Sequence, residues 1–197
     1  MATKTAKRRK GRRIARPSRS KRPAARARKV SPVPAGHHTV TPHLVFKDSA
    51  AAIAFYEKAM GAKELMRMTS PDGKGVMHAE IRIGDSIVYL ADEMPQSPTR
   101  APGPSNPATC SFAVYVPDCD ALFQRAIGAG ATQQMPLADM FWGDRMGSVM
   151  DPFGVIWMIC THVRDVGEEE LRRAAEAAAT AQAAAESPGA GGAAAPS

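Results

Sequence analysis

Two groups of residues in this chain have the types and spacing to do chemistry. The first is His43 with His78 and Glu80. Imidazole and carboxylate can hold a divalent metal, move a proton or hydrogen-bond a ligand. In "VMHAEIRIGDSIVYLAD", His78, Glu80 and Arg82 alternate with Ala79, Ile81 and Ile83, so the first three share one face of a strand whose other face is buried. The second group is "FWGDRMG" (141–147). Phe141 and Trp142 offer flat rings for stacking, Asp144 and Arg145 offer charge, and the planar fork of Arg145 suits a carboxylate or phosphate-like group. Tyr89 and Trp157 can extend the ring surface. The competing reading keeps His78 and Glu80 on a solvated strand face, packs the tryptophans on the core and ties Arg145 into an ion pair.

The elements that must position these groups come in two copies. "HLVFKDSAAAIAFYEKAMGAKELM" (43–66) is echoed by "FAVYVPDCDALFQRAIGAGATQQM" (112–135). Asp48 matches Asp118, Ile53 matches Phe123, and Gly61-Ala62 matches Gly130-Ala131. Two copies at so long a spacing make a duplicated module and not a solenoid. Each copy predicts strand, helix and three strands. In the first, 40–46 reads as a strand, Asp48 or Ser49 caps a helix running through Ala59, and Gly61 ends it. Lys63 to Thr69 is the next strand, and two more flank a Gly84-Asp85 turn. In the second, strand 111–116, helix 118–128 and strand 131–136 precede a hairpin around Asp151-Pro152-Phe153-Gly154. The predicted class is α+β, with modules at 39–95 and 109–163 inside a domain spanning 39–165. A charged helix follows over 166–186.

Charge divides the 197 residues unevenly. Residues 1–30 hold 14 of the 26 Lys and Arg and no acid, whereas the other 12 face all 19 acids, a net −7. The stretch 1–38 has almost no large apolar residue and is expected to be a disordered arm. His37 and His38, at its end, are expected to be solvated. Lys7, Arg8, Arg9, Lys10, Arg12 and Arg13 are its candidates for contact with nucleic acid or another polyanion, non-specific because no reading motif accompanies them. The end 187–197 is also expected to be disordered. Cys110, Cys119 and Cys160 form no CxxC pair and read as reduced thiols in a cytoplasmic protein. No apolar run approaches the ~20 residues of a membrane span.

The paired modules, the helix end "FYEKAMGA" and the turn "DPFG" resemble the vicinal oxygen chelate superfamily, which includes glyoxalase I, the bleomycin-resistance proteins and the extradiol dioxygenases. "MFWGDRMGSVMDPFG" and "HAEIRIGDSIVYLAD" are similar to its PhnB-like branch. The resemblance implies two curved half-sheets facing each other across a cup, and homodimers. It also implies that metal-dependent members hold their ion with His or Glu on the first and last strand of each module. Those positions fall here on Thr41, Ser111, Met158 and Val88 or Tyr89, so the standard metal site is expected to be absent and no cofactor is expected. His43, His78 and Glu80 are the candidates for a displaced metal site. The function expected is small-molecule binding in the manner of bleomycin-resistance proteins, with His43, Tyr89, Phe141, Trp142, Asp144, Arg145 and Trp157 lining the cup. The alternatives are a lyase, isomerase or dioxygenase using displaced ligands, and nucleic-acid association through the arm.

Overall fold

The computed structural model describes residues 30–186. Lys7, Arg8, Arg9, Lys10, Arg12, Arg13 and the end 187–197 lie outside the described residues, and so do the expectations placed on them. The first module is β1 (His43–Phe46), α1 (Ser49–Met60), β2 (Lys63–Thr69), β3 (Val76–Ile83) and β4 (Ser86–Asp92). The second is β5 (Ser111–Tyr115), α2 (Cys119–Ala129), β6 (Thr132–Asp139), β7 (Asp144–Met150) and β8 (Ile156–His162), with α3 (Glu168–Glu186) after it. Each module is a four-stranded mixed sheet, in the orders β1-β4-β3-β2 and β5-β8-β7-β6. The first and last strand of each module run parallel and the others antiparallel. Among the described residues no helix is long and apolar enough to cross a membrane.

The duplication read from the sequence is visible in atomic detail. Asp48 and Asp118 cap α1 and α2 with φ of −143° and −141°, and each carboxylate accepts from the backbone N–H three residues on. Such a cap satisfies one of the N–H groups that a helix leaves without a partner. Gly61 and Gly130 close the helices in the left-handed region at φ of 67° and 115°, where a side chain would be strained. The strand ends reinforce this. The Ser49 N–H donates to Asp92 at 2.7 Å and the Cys119 N–H donates to Thr161 at 2.9 Å.

Two boundaries differ from expectation by three residues. The first strand starts at His43 and not at residue 40, because Pro42 has no N–H to give to a ladder. Its carbonyl instead accepts from Tyr89 N. The strand expected over 131–136 continues to Asp139. It carries Pro136 by lying at the sheet edge with irregular pairing between Gln133 and Ala138, the setting in which strands accept proline.

Both sheets bury one face against a single core that includes both helices. α1 and α2 pack on each other, each on its own sheet. At the centre, Asp151 of the DPFG turn is 1% exposed. One of its oxygens accepts from Phe153 N and Val155 N, both at 2.9 Å. The other accepts from Tyr56 Oη of α1 at 2.7 Å and Trp157 Nε1 of β8 at 3.1 Å. Burial, and then the Asp151 charge, push the Tyr56 phenol well above its ordinary range, so it stays a donor. Phe153 packs edge-on to Phe46 and Phe55 of the first module. The Gly154 that follows has φ of 90°, and a side chain there would strike the Gly103 backbone.

Tyr56→Phe removes one bond to a buried carboxylate and should lower unfolding free energy by about 2 kcal/mol in a urea titration. Asp151→Asn keeps the shape but cannot accept from all four donors, and should cost about 3 kcal/mol. If both variants unfold at the wild-type midpoint, the carboxylate does not join the modules.

Candidate functional site

Because the buried faces share one core, the other face of each sheet is open. On the first module the alternation of β3 turns His78 and Glu80 to that face, and the register brings His43 and Glu80 to either side of Tyr89. The Tyr89 ring meets His78 edge-on at 4.8 Å between centroids and His43 at 6.4 Å. His78 Nε2 lies 3.6 Å from Glu80 Oε1. Burial, and then the neighbouring His78, hold the His43 imidazole below its ordinary pKa.

His37 joins this group, contrary to its expected place in a solvated linker. Tyr89 Oη and His37 Nε2 share a hydrogen bond of 2.7 Å, and Glu80 Oε2 is 3.9 Å from the same nitrogen. His37 Nδ1 lies 3.4 Å from Ala35 O. With its proton on Nδ1 the ring accepts from the tyrosine at Nε2. Gly36 sits against Ile87 beside it. The segment before β1 is thus a strap across the face, and His37 is a site residue that no local sequence signal marks, because its partners are 43 and 52 residues away along the chain.

On the second module the open face is organised by Asp144, which is 5% exposed. Its Oδ2 accepts from Tyr115 Oη at 2.9 Å and Trp142 Nε1 at 3.1 Å. Its Oδ1 accepts from His162 Nδ1 at 2.8 Å, and His162 Nε2 reaches Asp165 at 3.1 Å. The His162 bond leads the tyrosine and tryptophan bonds in holding the Asp144 carboxyl below its usual range. The same pair, with Asp165, raises the His162 pKa. Cys160 lies near this carboxylate, and burial followed by that charge pushes its thiol up to about 11. Phe141 stacks edge-on with Trp142 at 4.9 Å. Tyr115 and His162 were not expected here. The alternation of β5 and the pairing of Asp144 with His162 across β7 and β8 bring them in.

Two expected lining residues lie elsewhere. Asp144 and Arg145 belong to β7 and not to a loop, so they point to opposite faces. Arg145 forks onto Asp120 of α2 with two bonds of 2.7 Å and reaches Asp139 at 3.1 Å. These bonds to Asp120, then Asp139, raise its pKa further. Its charge is committed to joining α2 to β6. Trp157 turns inward, 3% exposed, and donates to Asp151.

The donor chemistry at the implied metal positions does not fit a divalent ion. Thr41 precedes β1, Ser111 lies on β5, Met158 lies on β8 opposite Ala113, and Tyr89 lies on β4 opposite His43. Two hydroxyls, a thioether and a phenol are a poor set where imidazole and carboxylate are needed. The displaced set fares no better. Among the described residues no three His, Cys, Asp or Glu side chains converge as metal ligands. His43, His78 and Glu80 share a face but the Tyr89 ring stands among them.

Known proteins of the same architecture are recognisable. The family model described as Glyoxalase/Bleomycin resistance protein/Dioxygenase superfamily matches residues 36–159. An uncharacterized protein of Mycobacterium bovis is 45% identical over 142 residues, covering 68% of this chain and 90% of that protein. TioX from Micromonospora sp. ML1 superposes with a TM-score of 0.51 at 29% identity, covering 62% of this chain and 97% of that one. A glyoxalase/bleomycin resistance protein/dioxygenase from Nocardioides gives a TM-score of 0.51 at 25% identity, over 71% of this chain and 90% of its own.

The Asp144–His162 pair has a pH signature. Stability from the raised His162 pKa is fully present below its unfolded value of about 6.5 and is lost as pH rises through the folded value. Stability from the lowered Asp144 pKa is present above about 3.9 and is lost as pH falls through its folded value. The gap in melting temperature between wild type and His162→Gln should therefore be widest between about pH 4 and 6.5 and should close in alkali. A gap that is constant across this range would separate the histidine from Asp144.

Proposed function

We propose that this chain, which belongs to the Glyoxalase/Bleomycin resistance protein/Dioxygenase superfamily, binds a small flat molecule on the open face of its first module without a standard metal site. The observation that carries this reading is the cluster of His37, His43, His78, Glu80 and Tyr89 on one sheet face. It presents one carboxylate, three imidazoles and a phenol around an aromatic ring. Such a set can stack a flat ligand and hydrogen-bond its polar edge. Arg145, the residue suited to an anionic ligand, is already held by Asp120 and Asp139. Glu80 favours a ligand that donates hydrogen bonds or carries positive charge.

One copy leaves this face open, because the helices lie between the two sheets. A second copy supplies the opposite wall in this reading, and its Asp144 face, with Phe141 and Trp142, is the surface offered. The working form is then a homodimer with ligand held between unlike modules.

Calorimetric titration against aromatic amines, phenols and aromatic acids tests the reading. For the tightest member of the panel, Glu80→Gln and Tyr89→Ala should each weaken affinity about tenfold. Arg145→Ala should leave affinity unchanged, and so should dialysis against EDTA. Binding that vanishes with EDTA and returns with a divalent ion would overturn it in favour of a metal-dependent enzyme at His43 and Glu80.

A further inference from the structure

A second concave region borders the second module's open face at Tyr115 and contains none of the cluster around Tyr89. A cleft of about 840 Å³ runs between the modules, bounded by the strand β1 and the β3–β4 hairpin on one side and the strand β5 on the other. Its volume falls in the range of small-molecule sites. The floor is apolar: Leu44, Met60, Phe112, Val114, Leu122 and Trp157. Leu44 and Met60 are 8% exposed, Leu122 4% and Trp157 3%. Walls this shielded make an apolar lining for the body of a small molecule. The free edge of β5, the outermost strand of its sheet, runs along the cleft and offers backbone groups to a polar atom of a ligand.

The rim is different in kind. His38, Asp85 and Ser86 are exposed there, with Ser86 Oγ donating to Asp85 Oδ1 at 2.9 Å. Among the described residues no Lys or Arg lines the cleft. A carboxylate at the mouth with no cation beside it repels an anionic head group and attracts an amine.

The geometry points to this cleft as a binding site for an elongated amphiphile, with an alkyl or aryl body between the modules and a cationic or neutral hydrogen-bonding end at Asp85. The site is separate from the open-face site, shares none of the cluster around Tyr89 and Glu80, and does not depend on it.

The test uses the full chain carrying Trp142→Phe, so that Trp157 on the cleft wall is the only indole. The probes are dodecylamine and dodecanoate, each below its micellar concentration. Dodecylamine should change Trp157 emission saturably at micromolar concentration, with one site per chain by calorimetry, and dodecanoate should bind about tenfold more weakly. Asp85→Lys, in an exposed turn, should reverse that order without altering the melting temperature. Val114→Phe should fill the floor and weaken both probes. Glu80→Gln should leave dodecylamine binding unchanged. The inference is overturned if neither probe gives a saturable response, if Asp85→Lys leaves the selectivity as it was, or if Glu80→Gln abolishes binding. The last result would place the amphiphile on the open face.

Discussion

The structure depends on one buried carboxylate. Asp151 has no basic partner among its bonds, yet it sits at the junction of the modules with four donors on its two oxygens. A charge taken out of water survives only where such donors replace its hydration. Two of them come from its own turn and set the shape of the β7–β8 hairpin. The other two come from side chains on α1 and β8. The hydroxyl of Tyr56 is therefore a buried polar tie between two halves that meet largely through apolar packing, beside the bond of 2.7 Å from Arg125 Nε to the Ala59 carbonyl. Phe153, carried by the same turn, inserts between Phe46 and Phe55, so the polar tie and the apolar one are placed by four consecutive residues.

This arrangement decides where a ligand can go. With both helices inside, each sheet presents its other face to a ligand, apart from the cleft between β1 and β5. The two half-sheets expected of the fold are both present, and each leaves its outer face available to a ligand. A strand has two faces, and commitment of one to the core leaves the alternate residues free to diverge. That is how His78 and Glu80 come to stand beside core residues Ala79 and Ile81. The same rule separates Asp144 from Arg145. One organises the open face and the other clamps α2, although they are neighbours in sequence.

Much of the fold was legible because its signals are local. Asp48, Gly61, Asp118 and Gly130 act through their own backbone, and apolar alternation fixes β3 within eight residues. β1 starts three residues later than the apolar pattern suggests, because Pro42 has no N–H to give to a ladder. The site was only half legible. The shared face of His78 and Glu80 follows from strand period alone. Their meeting with Tyr89 needs the β3–β4 register, and the arrival of His37 needs a strap that folds back over 50 residues of intervening chain. The inward turn of Trp157 is not legible because an aromatic residue on a strand fits either face, and its indole partner, Asp151, reads as a turn residue.

The two open faces have diverged further than the two cores. At matching depths on the strands, the first module carries His43, His78, Glu80 and Tyr89, whereas the second carries Ala113, Met146, Ser148 and Met158. The polar character of the second face is displaced to its far end, around Asp144. Thioethers are flexible and polarizable and adapt to irregular apolar shapes. A surface of that kind complements a hydrogen-bonding surface better than it complements a copy of itself, because one fixes a ligand's polar edge and the other accommodates its flat body. Duplication supplied two sheets under the same packing constraints. Since packing constrains one side of each strand and hydrogen bonding constrains the backbone, the outward side chains were free to become unlike, and that unlikeness suits a ligand held between a first module and a second.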